Sequence, residues 1–524
     1  MTRLVTYDTT LRDGAQTEGV SFSLDDKLMI ARRLDLLGID YIEGGFPHSN
    51  AKDEALFREL RREPLSHARI TSFGMTRRAG VKAADDVGLA SLLASETPAC
   101  TLVGKSWDFH VTGALRVSLD ENLKMIADSV GYLKDRGREV LFDAEHFFDG
   151  YRANGEYALA CLQAAADAGA DWLVLCDTNG GTLPSEIEAT VRAVAERFSV
   201  AVGIHTHNDT GLAVAGTLAA VAAGCTQVQG TINGLGERCG NADLCTCIAN
   251  LQLKLGHELL PQDRMQHLTE TSRFVYEICN MNLVANQPYV GPSAFAHKGG
   301  MHASAVARDT RSYEHVVPDQ VGNTRRILIS ELAGASNVAS KASKFNVQDD
   351  KALMARLRDR VQELENDGYQ FEAAEASFEM LLRRELGQQT RFFDLDNYHV
   401  NIYKDDGKAP VTVATVKIRI DGQLEHHVAE GDGPVNALDA ALRKALLGYY
   451  PNLSGMNLTD YKVRVINSQA ATAAKVRVTI ESKDQDEHWG TVGVSENIID
   501  ASWRALTDSI EYKLLKDREA TAGQ

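Results

Sequence analysis

The sequence lacks an excess of positive charge. Its 524 residues include 55 lysines and arginines against 72 aspartates and glutamates, which gives a formal net charge of -17 at pH 7. A protein without a basic field does not hold phosphates nonspecifically, so neither a nucleic acid nor an anionic membrane is expected as a partner. The charge favours a soluble protein that acts on small molecules.

Long apolar runs and paired cysteines are also missing. No stretch approaches the roughly 20 apolar residues that a membrane helix needs. The first predicted strand starts at Leu4, which leaves no room for a signal peptide. Eight cysteines follow no paired framework, as is typical of reduced thiols, and they occupy positions 100, 161, 176, 225, 239, 245, 247 and 279. We therefore expect a cytoplasmic protein.

Up to about residue 255, short runs of Val, Ile and Leu alternate with longer helical patterns, which indicates repeated βα units. Helices such as Asp25 to Leu37 and Glu186 to Phe198 lie between the strands, and Ser118 with Glu121 predicts a capping box. Eight strands are predicted: Leu4 to Thr9, Asp40 to Gly44, Arg69 to Phe73, Thr101 to Gly104, Val140 to Ala144, Trp172 to Cys176, Val202 to His205 and Gln227 to Thr231. Eight units in about 250 residues match an α/β fold, the (β/α)8 TIM barrel, and an open doubly wound sheet is the alternative.

The rest of the chain has a different character. The sequence predicts a linker and helical subdomain over residues 281–387, with a helical stretch from Asp349 to Leu386. From residue 388 onward, alternating strands and two helices predict an α+β domain built from a tandem βββα module. The predicted domains are therefore a catalytic barrel over 1–280, the subdomain over 281–387 and a C-terminal regulatory domain over 388–524.

Polar residues follow the predicted strands at their C-terminal ends, where barrel enzymes build active sites. They include Asp13, Glu43, Glu145, Thr178, His205, His207 and Asn241. His205 and His207 project to the same side of a strand, because strand side chains alternate. With Asp13 and an amide oxygen they form a mixed nitrogen and oxygen donor set that suits Mg, Mn, Zn or Co. The alternative is a pair of core histidines without a metal.

Arg12 stands next to this predicted metal ligand. Its charge competes with a cation unless an anion lies between them, and a 2-oxo acid supplies such an anion. Arg12 can then stabilise the alkoxide that forms when C2 of the acid is attacked. The alternative is structural, with Arg12 paired to Glu43 or Asp13.

Two motifs carry a family resemblance: DTTLRDGAQ, which contains Arg12 and Asp13, and HTHNDTGLAVA, which starts at His205. Together they resemble the isopropylmalate, homocitrate and citramalate synthases, which condense acetyl-CoA with a 2-oxo acid. Longer stretches, such as ETPACTLVGKSWDFHVTGALR and FDAEHFFDGYRANGEYAL, are similar to the citramalate synthase subgroup. The resemblance implies pyruvate and acetyl-CoA as substrates and a place in isoleucine biosynthesis.

The resemblance also implies roles for individual residues. Asn241, in the turn GERCGN, stands where the family has its fourth protein ligand to the metal; the alternative is an ordinary turn asparagine. Thr178, with Arg12 and Glu43, is expected to contact the substrate. Glu145 is expected to act as a base, although the neighbouring His146 is a rival.

Further catalytic groups are expected from a second subunit. By resemblance, His302 of the partner subunit works with Glu145, and Tyr313 is a third member; the alternative for His302 is a solvated loop histidine. A homodimer with shared active sites follows.

The tail is expected to bind an amino-acid effector, isoleucine, at the segment Gly431 to Pro434 before a helix starting near Val435; the alternative is a helix end closed by Asp432.

Other functions remain open at this level. The same chemistry with a longer 2-oxo acid gives a 2-isopropylmalate or homocitrate synthase. A metal-dependent lyase of the same barrel would cleave a hydroxyacyl-CoA instead. A non-catalytic amino-acid sensor is a further alternative, against which the complete metal and acid/base set argues.

Overall fold

The computed structural model describes residues 3–261, 263–297, 302, 305–306, 308–327, 351–371, 374–388, 390–466, 475–484 and 487–522. The chain divides into two compact units. One contains the residues up to 295 together with 315–325, and the other contains 296–314 and everything from 326 onward. The domain boundaries predicted after residues 280 and 387 stay predictions.

Eight parallel strands close into a barrel in sequential order, which confirms the predicted TIM barrel and shows that the open-sheet alternative is wrong. β1 pairs with β2 on one side and with β8 on the other, which completes the ring. The strands are β1 (Val5–Asp8), β2 (Tyr41–Gly45), β3 (Arg69–Met75), β4 (Ala99–Lys105), β5 (Glu139–Glu145), β6 (Trp172–Asp177), β7 (Ala201–Thr206) and β8 (Gln227–Gly230). Most of their residues are buried, because helices cover the outside of the barrel.

Helices connect the strands and pack around them. They are α1 (Leu24–Leu37), α2 (Ala51–Arg62), α3 (Val87–Ala94), α4 (Leu119–Lys134), α5 (Phe147–Asp167), α6 (Pro184–Arg197), α7 (Ala213–Ala222), α8 (Leu244–Ala249) and α9 (Leu268–Ile278). α1 begins at a reciprocal capping box, in which the Ser23 hydroxyl accepts from Asp26 N and the Asp26 carboxylate accepts from Ser23 N. It ends at Gly38, whose φ of 94° is the left-handed conformation that glycine adopts without strain.

Only one of the two hydrogen bonds of the capping box predicted for α4 is present, so the prediction of a complete box is wrong. The Ser118 hydroxyl accepts from Glu121 N, as expected of an N-cap. The Glu121 carboxylate does not return to the cap, because it accepts from Arg77 Nη1 at 3.0 Å. A charged partner outside the helix therefore replaces the local backbone contact.

The second unit contains a short pair of strands, β9 (Ala296–His297) and β10 (Arg326–Ile327), and two helices, α10 (Lys351–Asn366) and α11 (Glu375–Glu385). The single helical stretch predicted from Asp349 is therefore interrupted, and its first two residues lie outside the described part of the chain. Gly368, with φ of 108°, follows α10. The apolar face of α11, including Phe378 and Leu382, belongs to the same buried cluster as Val492 and Val494.

The tail repeats one arrangement twice. Two antiparallel three-stranded sheets contain β11 (Asp394–Tyr403), β12 (Val411–Ile420) and β13 (Gln423–Gly431), then β14 (Asn457–Val465), β15 (Val476–Lys483) and β16 (His488–Ser495). Each sheet is followed by a helix that packs on its last two strands, α12 (Pro434–Leu446) and α13 (Ile498–Ala522). The predicted tandem βββα module is therefore confirmed. The alternative in which Asp432 caps α12 is wrong, since the N-cap is Gly433 and no side chain bonds to it.

Within the described residues, no helix combines the length and the apolar character that crossing a membrane requires.

Candidate metal centre and active site

Three side chains of metal-ligand type meet at the C-terminal ends of β1 and β7. Asp13 Oδ2 is 3.6 Å from His205 Nε2 and 3.7 Å from His207 Nε2, and the two Nε2 atoms are 3.4 Å apart. All three side chains are buried, and one ligand atom from each lies within 4.8 Å of the others. The cluster has the donor atoms and the size of a site for one divalent cation.

Two buried oxygen atoms, Asp13 Oδ1 and Asn241 Oδ1, have no hydrogen-bond donor among the described residues. Asn241 is joined to His207 by a backbone bridge, and its Nδ2 donates to the Leu235 carbonyl at 3.1 Å, which leaves Oδ1 as a free acceptor. Gly236 makes room for this amide, because a Cβ at that position would lie 2.1 Å from Asn241 Nδ2. Buried acceptors without donors are stabilised by a cation, so the residues present fit a divalent metal.

The protonation states of Asp13 and His207 suit metal binding, whereas a metal would have to displace a proton from His205. Burial opposes ionisation of Asp13, but Arg12 and His205 outweigh it and hold the pKa of Asp13 well below its usual range. Burial and the nearby His205 lower the pKa of His207 to about 4. Burial also opposes protonation of His205, yet its hydrogen bond to Asp13 raises the pKa of His205 above the ordinary value. At neutral pH, Asp13 is therefore a carboxylate and His207 has a free lone pair.

Arg12 lies against two carboxylates and an aromatic ring. Its Nε donates to Glu43 Oε2 at 2.5 Å, and its Nη1 donates to Asp13 Oδ2 at 3.2 Å. Its guanidinium carbon is 4.1 Å from the centre of the Phe73 ring. Glu43 also accepts from Tyr7 OH at 2.6 Å. The pairing of Arg12 with Glu43 and Asp13 is thus present, and it holds the guanidinium beside the metal-ligand cluster; a substrate contact by Glu43 stays a prediction.

Glu145 ends β5 and Thr178 follows β6, so both lie at the same rim of the barrel as the cluster. Thr178 Oγ1 accepts from the backbone N–H of His146 at 2.8 Å, which leaves its own hydroxyl hydrogen for another acceptor. The His146 ring lies edge to face with the His110 ring, with 4.3 Å between their centres. The carboxylate of Glu145 accepts a hydrogen bond from Lys105.

His302 and Tyr313 both belong to the second unit. Their rings stack, with 4.1 Å between centres and 26° between planes. Tyr313 is 46% exposed and His302 is also exposed. The two residues expected to complete the acid/base set are therefore neighbours that are open to solvent.

Comparisons with known proteins cover nearly the whole chain. The HMGL-like family model matches residues 3–275, the homocitrate synthase post-HMGL domain-like model matches 289–368, and the LeuA allosteric (dimerisation) domain model matches 372–514. The (R)-citramalate synthase of Aquifex aeolicus is 56% identical over 517 residues, which cover 98% of each chain. That of Geobacter sulfurreducens is 52% identical over 516 residues, again 98% of each chain. The chain belongs to the (R)-citramalate synthase family.

Membership of the (R)-citramalate synthase family confirms the resemblance seen in the sequence and makes the protein an enzyme, an acyl-CoA condensing transferase. The alternative of a non-catalytic sensor is therefore wrong. HMGL-like enzymes use a divalent metal, and the cluster of Asp13, His205 and His207 is the candidate site for it. A probable 2-isopropylmalate synthase of Methanopyrus kandleri is more distant, at 32% identity over 520 residues and 99% of each chain.

Sequence reasoning missed two residues of this citramalate synthase site. Gln229 Oε1 lies 3.1 Å from His205 Nδ1, and Gln229 Nε2 donates to Gln227 Oε1 at 3.2 Å. With its amide nitrogen so engaged, Gln229 accepts from His205 Nδ1, which leaves Nε2 of that ring for a metal. Lys105 was also missed. The signal for Gln229 in the sequence is its period-two spacing from the other glutamine of β8. The signal for Lys105 is its place as a charged residue at the end of an otherwise apolar strand.

Proposed function

We propose that the protein is an (R)-citramalate synthase that condenses acetyl-CoA with pyruvate and water to give (R)-citramalate and CoA. The observation that carries the proposal is the contact of Arg12 with Asp13, which itself belongs to the candidate metal cluster. A divalent cation held by Asp13 would lie beside the Arg12 guanidinium, and the two positive groups would attract the keto oxygen and the carboxylate of a 2-oxo acid. Identities of 48% to 56% to five (R)-citramalate synthases support pyruvate as that acid. The product would serve isoleucine biosynthesis.

Asp13, His205, His207 and Asn241 are the residues that would hold the metal. A bound divalent cation supplies Lewis-acid polarisation of the 2-oxo group. Nitrogen and oxygen donors without a thiolate suit Mg²⁺, Mn²⁺, Zn²⁺ or Co²⁺. Gln229 supports the set, because its contact with His205 fixes the direction of that ring.

Two side chains are proposed to hold pyruvate and the charge that develops on it. Arg12 donates to the C2 oxygen, whose negative charge grows as the new carbon–carbon bond forms. Its contacts with Glu43 and Phe73 fix the guanidinium before substrate arrives, so little reorganisation is needed. Thr178 donates its free hydroxyl hydrogen to the pyruvate carboxylate.

Glu145 is proposed to remove a proton from the methyl group of acetyl-CoA. His302 of the partner subunit and Tyr313 of the partner subunit complete this acid/base set. The carbanion carbon attacks C2 of pyruvate, the resulting alkoxide takes up a proton, and water then hydrolyses the thioester to release CoA. The stacking of His302 on Tyr313 supports their acting together.

Release of CoA from acetyl-CoA, measured with a panel of 2-oxo acids, tests the proposal. We expect the highest kcat/KM with pyruvate, lower values with 2-oxobutyrate and 2-oxoisovalerate, and (R)-citramalate as the product. A preference for 2-oxoisovalerate or 2-oxoglutarate would instead identify an isopropylmalate or homocitrate synthase. Cleavage of citramalyl-CoA to pyruvate without net condensation would identify a lyase.

The tail is the proposed site of assembly and regulation. The match to the LeuA allosteric (dimerisation) domain indicates a dimer. We further propose shared active sites and isoleucine as the effector. Pro434 has no backbone N–H, so the N–H groups of Val435 and Asn436 in the first turn of α12 would bind the effector's carboxylate.

Titration of the full-length enzyme with isoleucine, leucine and valine separately tests this assignment. Isoleucine is expected to lower activity at subsaturating pyruvate, through a coupling free energy of about 1 to 3 kcal/mol. If none of the three amino acids changes kcat or KM, the tail serves assembly alone.

We also propose that the enzyme works in the reducing cytoplasm. All eight cysteines are free, and seven of them are buried. Burial raises the pKa of Cys225 and Cys247, which keeps both as unreactive thiols.

A further inference from the structure

A lysine at the end of β4 contacts the proposed base. Lys105 and Glu145 are the last residues of β4 and β5, and they are directly opposite each other in the register of the two strands. Lys105 Nζ donates a hydrogen bond to Glu145 Oε2. The lysine side chain is 17% exposed and the glutamate side chain 24%, so both are mostly buried while a part of each stays accessible to a ligand.

The backbone beneath this pair is fixed by buried side chains. Asn122 Nδ2 donates to the Lys105 carbonyl at 2.9 Å, and Ser106 Oγ donates to the Glu145 carbonyl at 2.7 Å. Both Asn122 and Ser106 are fully buried. The ammonium group and the carboxylate are therefore attached to a rigid part of the barrel, at the rim where barrel enzymes carry out their chemistry.

A cation beside the proposed base suits the chemistry of the condensation. Removing a proton from the methyl group of a thioester moves the electron pair into a new C=C bond and leaves negative charge on the thioester oxygen. The metal cluster and Arg12 are assigned to the 2-oxo acid, so they do not neutralise that oxygen. A preorganised donor near the base lowers the barrier to this step, because the charge develops there.

We propose that Lys105 is a catalytic residue that donates a hydrogen bond to the thioester oxygen of acetyl-CoA as the enolate forms. Glu145 takes the methyl proton, and the ammonium of Lys105 stays protonated and stabilises the oxyanion. When the enolate carbon attacks C2 of pyruvate, the thioester carbonyl reforms and the hydrogen bond weakens. The inference rests on the proposed function, since it assigns a role within the same condensation.

Kinetics of Lys105→Met test the role. Methionine has a similar length but neither charge nor donor, so kcat is expected to fall about 100-fold, as when one oxyanion donor is lost. The KM for acetyl-CoA is expected to change little. The isotope effect with acetyl-CoA deuterated in the methyl group is expected to rise, because proton removal becomes slower than the later steps. Lys105→Gln, which keeps a donor without charge, is expected to be intermediate.

Lys134→Met is the control, since Lys134 forms a partly buried ion pair with Asp171, which directly precedes β6 and so lies at the opposite end of the barrel strands from Lys105. It should leave kcat unchanged. An unchanged kcat in Lys105→Met, or a higher KM alone, overturns the proposal and makes Lys105 a binding or structural group. If Lys105→Met does not fold, as judged by circular dichroism, Lys105→Gln decides by the same isotope effect. A wild-type enzyme inactive with pyruvate would refute the proposed function itself, independently of Lys105.

Discussion

Asp13, His205 and His207 each supply one atom to the candidate metal site, so the loss of any one leaves it incomplete. We expect Asp13→Ala, His205→Ala and His207→Ala each to abolish turnover. Metal affinity should fall by more than the roughly 10- to 100-fold that loss of a supporting group costs. Calorimetric titration with Mn²⁺ and the CoA release assay measure the two effects. Exposed His67 gives the control His67→Ala, and full activity in the double histidine variant would rule out the metal site.

Arg12 offers a test of charge against geometry. Arg12→Lys keeps the positive charge but loses the planar donor set that contacts Glu43 and Asp13 together. We expect most of kcat to be lost, with a smaller change in the KM for pyruvate. The same substitution at Arg192, which pairs with Glu188 on the surface, is the control. A change confined to KM would mean that Arg12 binds only ground-state pyruvate.

Residue types and spacing predict which side chains belong to the site but not which atoms they contact. Asp13 and the two histidines were named from motifs, and the structure brings them together. The sequence does not single out Gln229 or Lys105, because their partners lie on neighbouring strands and a single sequence does not show which side chains touch across strands.

At the scale of single elements, the sequence predicts the presence of a strand or helix more accurately than the residues at which it begins and ends. All eight barrel strands were predicted within a few residues, because strands covered on both faces read as apolar runs. The helical stretch before the tail was predicted as one helix, yet it consists of α10 and α11. The apolar periodicity continues across the break, while the chain turns after Gly368 so that α11 can pack on β16. The break between α10 and α11 therefore depends on tertiary packing, about which the periodicity of the sequence carries no information.

α13 carries a buried carboxyl whose charge costs stability. Burial, with a contribution from Asp508, raises the pKa of Glu511 from 4.5 to about 7. A carboxyl with a raised folded-state pKa stabilises the fold fully below its unfolded pKa, and this stabilisation is lost as the pH rises through 7. Glu511→Gln imitates the protonated form. It should therefore raise the free energy of unfolding by on the order of 3 kcal/mol at pH 8 and by little at pH 4.5.

Thermal unfolding of full-length protein at both pH values measures this effect. The exposed Glu496→Gln on the preceding loop controls for the chemical change itself. An equal gain at pH 4.5 and pH 8 would show that the glutamine acts through a new hydrogen bond and not through the missing charge.

At the scale of the whole molecule, the order of a barrel followed by an α+β tail was predicted from the change in pattern near residue 388, and the fold confirms both parts. The division of the chain into two compact units is harder to predict from the sequence. Residues 296–314 group with the tail unit, and 315–325 group with the barrel. Such an exchange of segments depends on contacts between distant residues, which a reading along the chain does not show.

The proposed sharing of active sites between subunits predicts how mixed dimers behave. Arg12→Ala chains and His302→Ala chains are each expected to be inactive alone. After subunit exchange in equal amounts, half of the dimers carry one intact site, so about a quarter of wild-type activity should return. Mass spectrometry of labelled chains verifies the exchange. No recovery despite verified exchange would place His302 and Arg12 of one chain in the same site.

The pairing of β1 with β8 has a consequence for the protein's synthesis. A nascent chain cannot close the ring until the segment ending at Gly230 has left the ribosome, so one edge of β1 stays unpaired throughout the translation of the strands between them. During that time Asp13 has no histidines to meet, because β7 is among the last strands made. Metal affinity therefore does not build up gradually along the growing polypeptide. It arises when the ring closes, and a cation that binds at that point would stabilise the closed barrel against reopening.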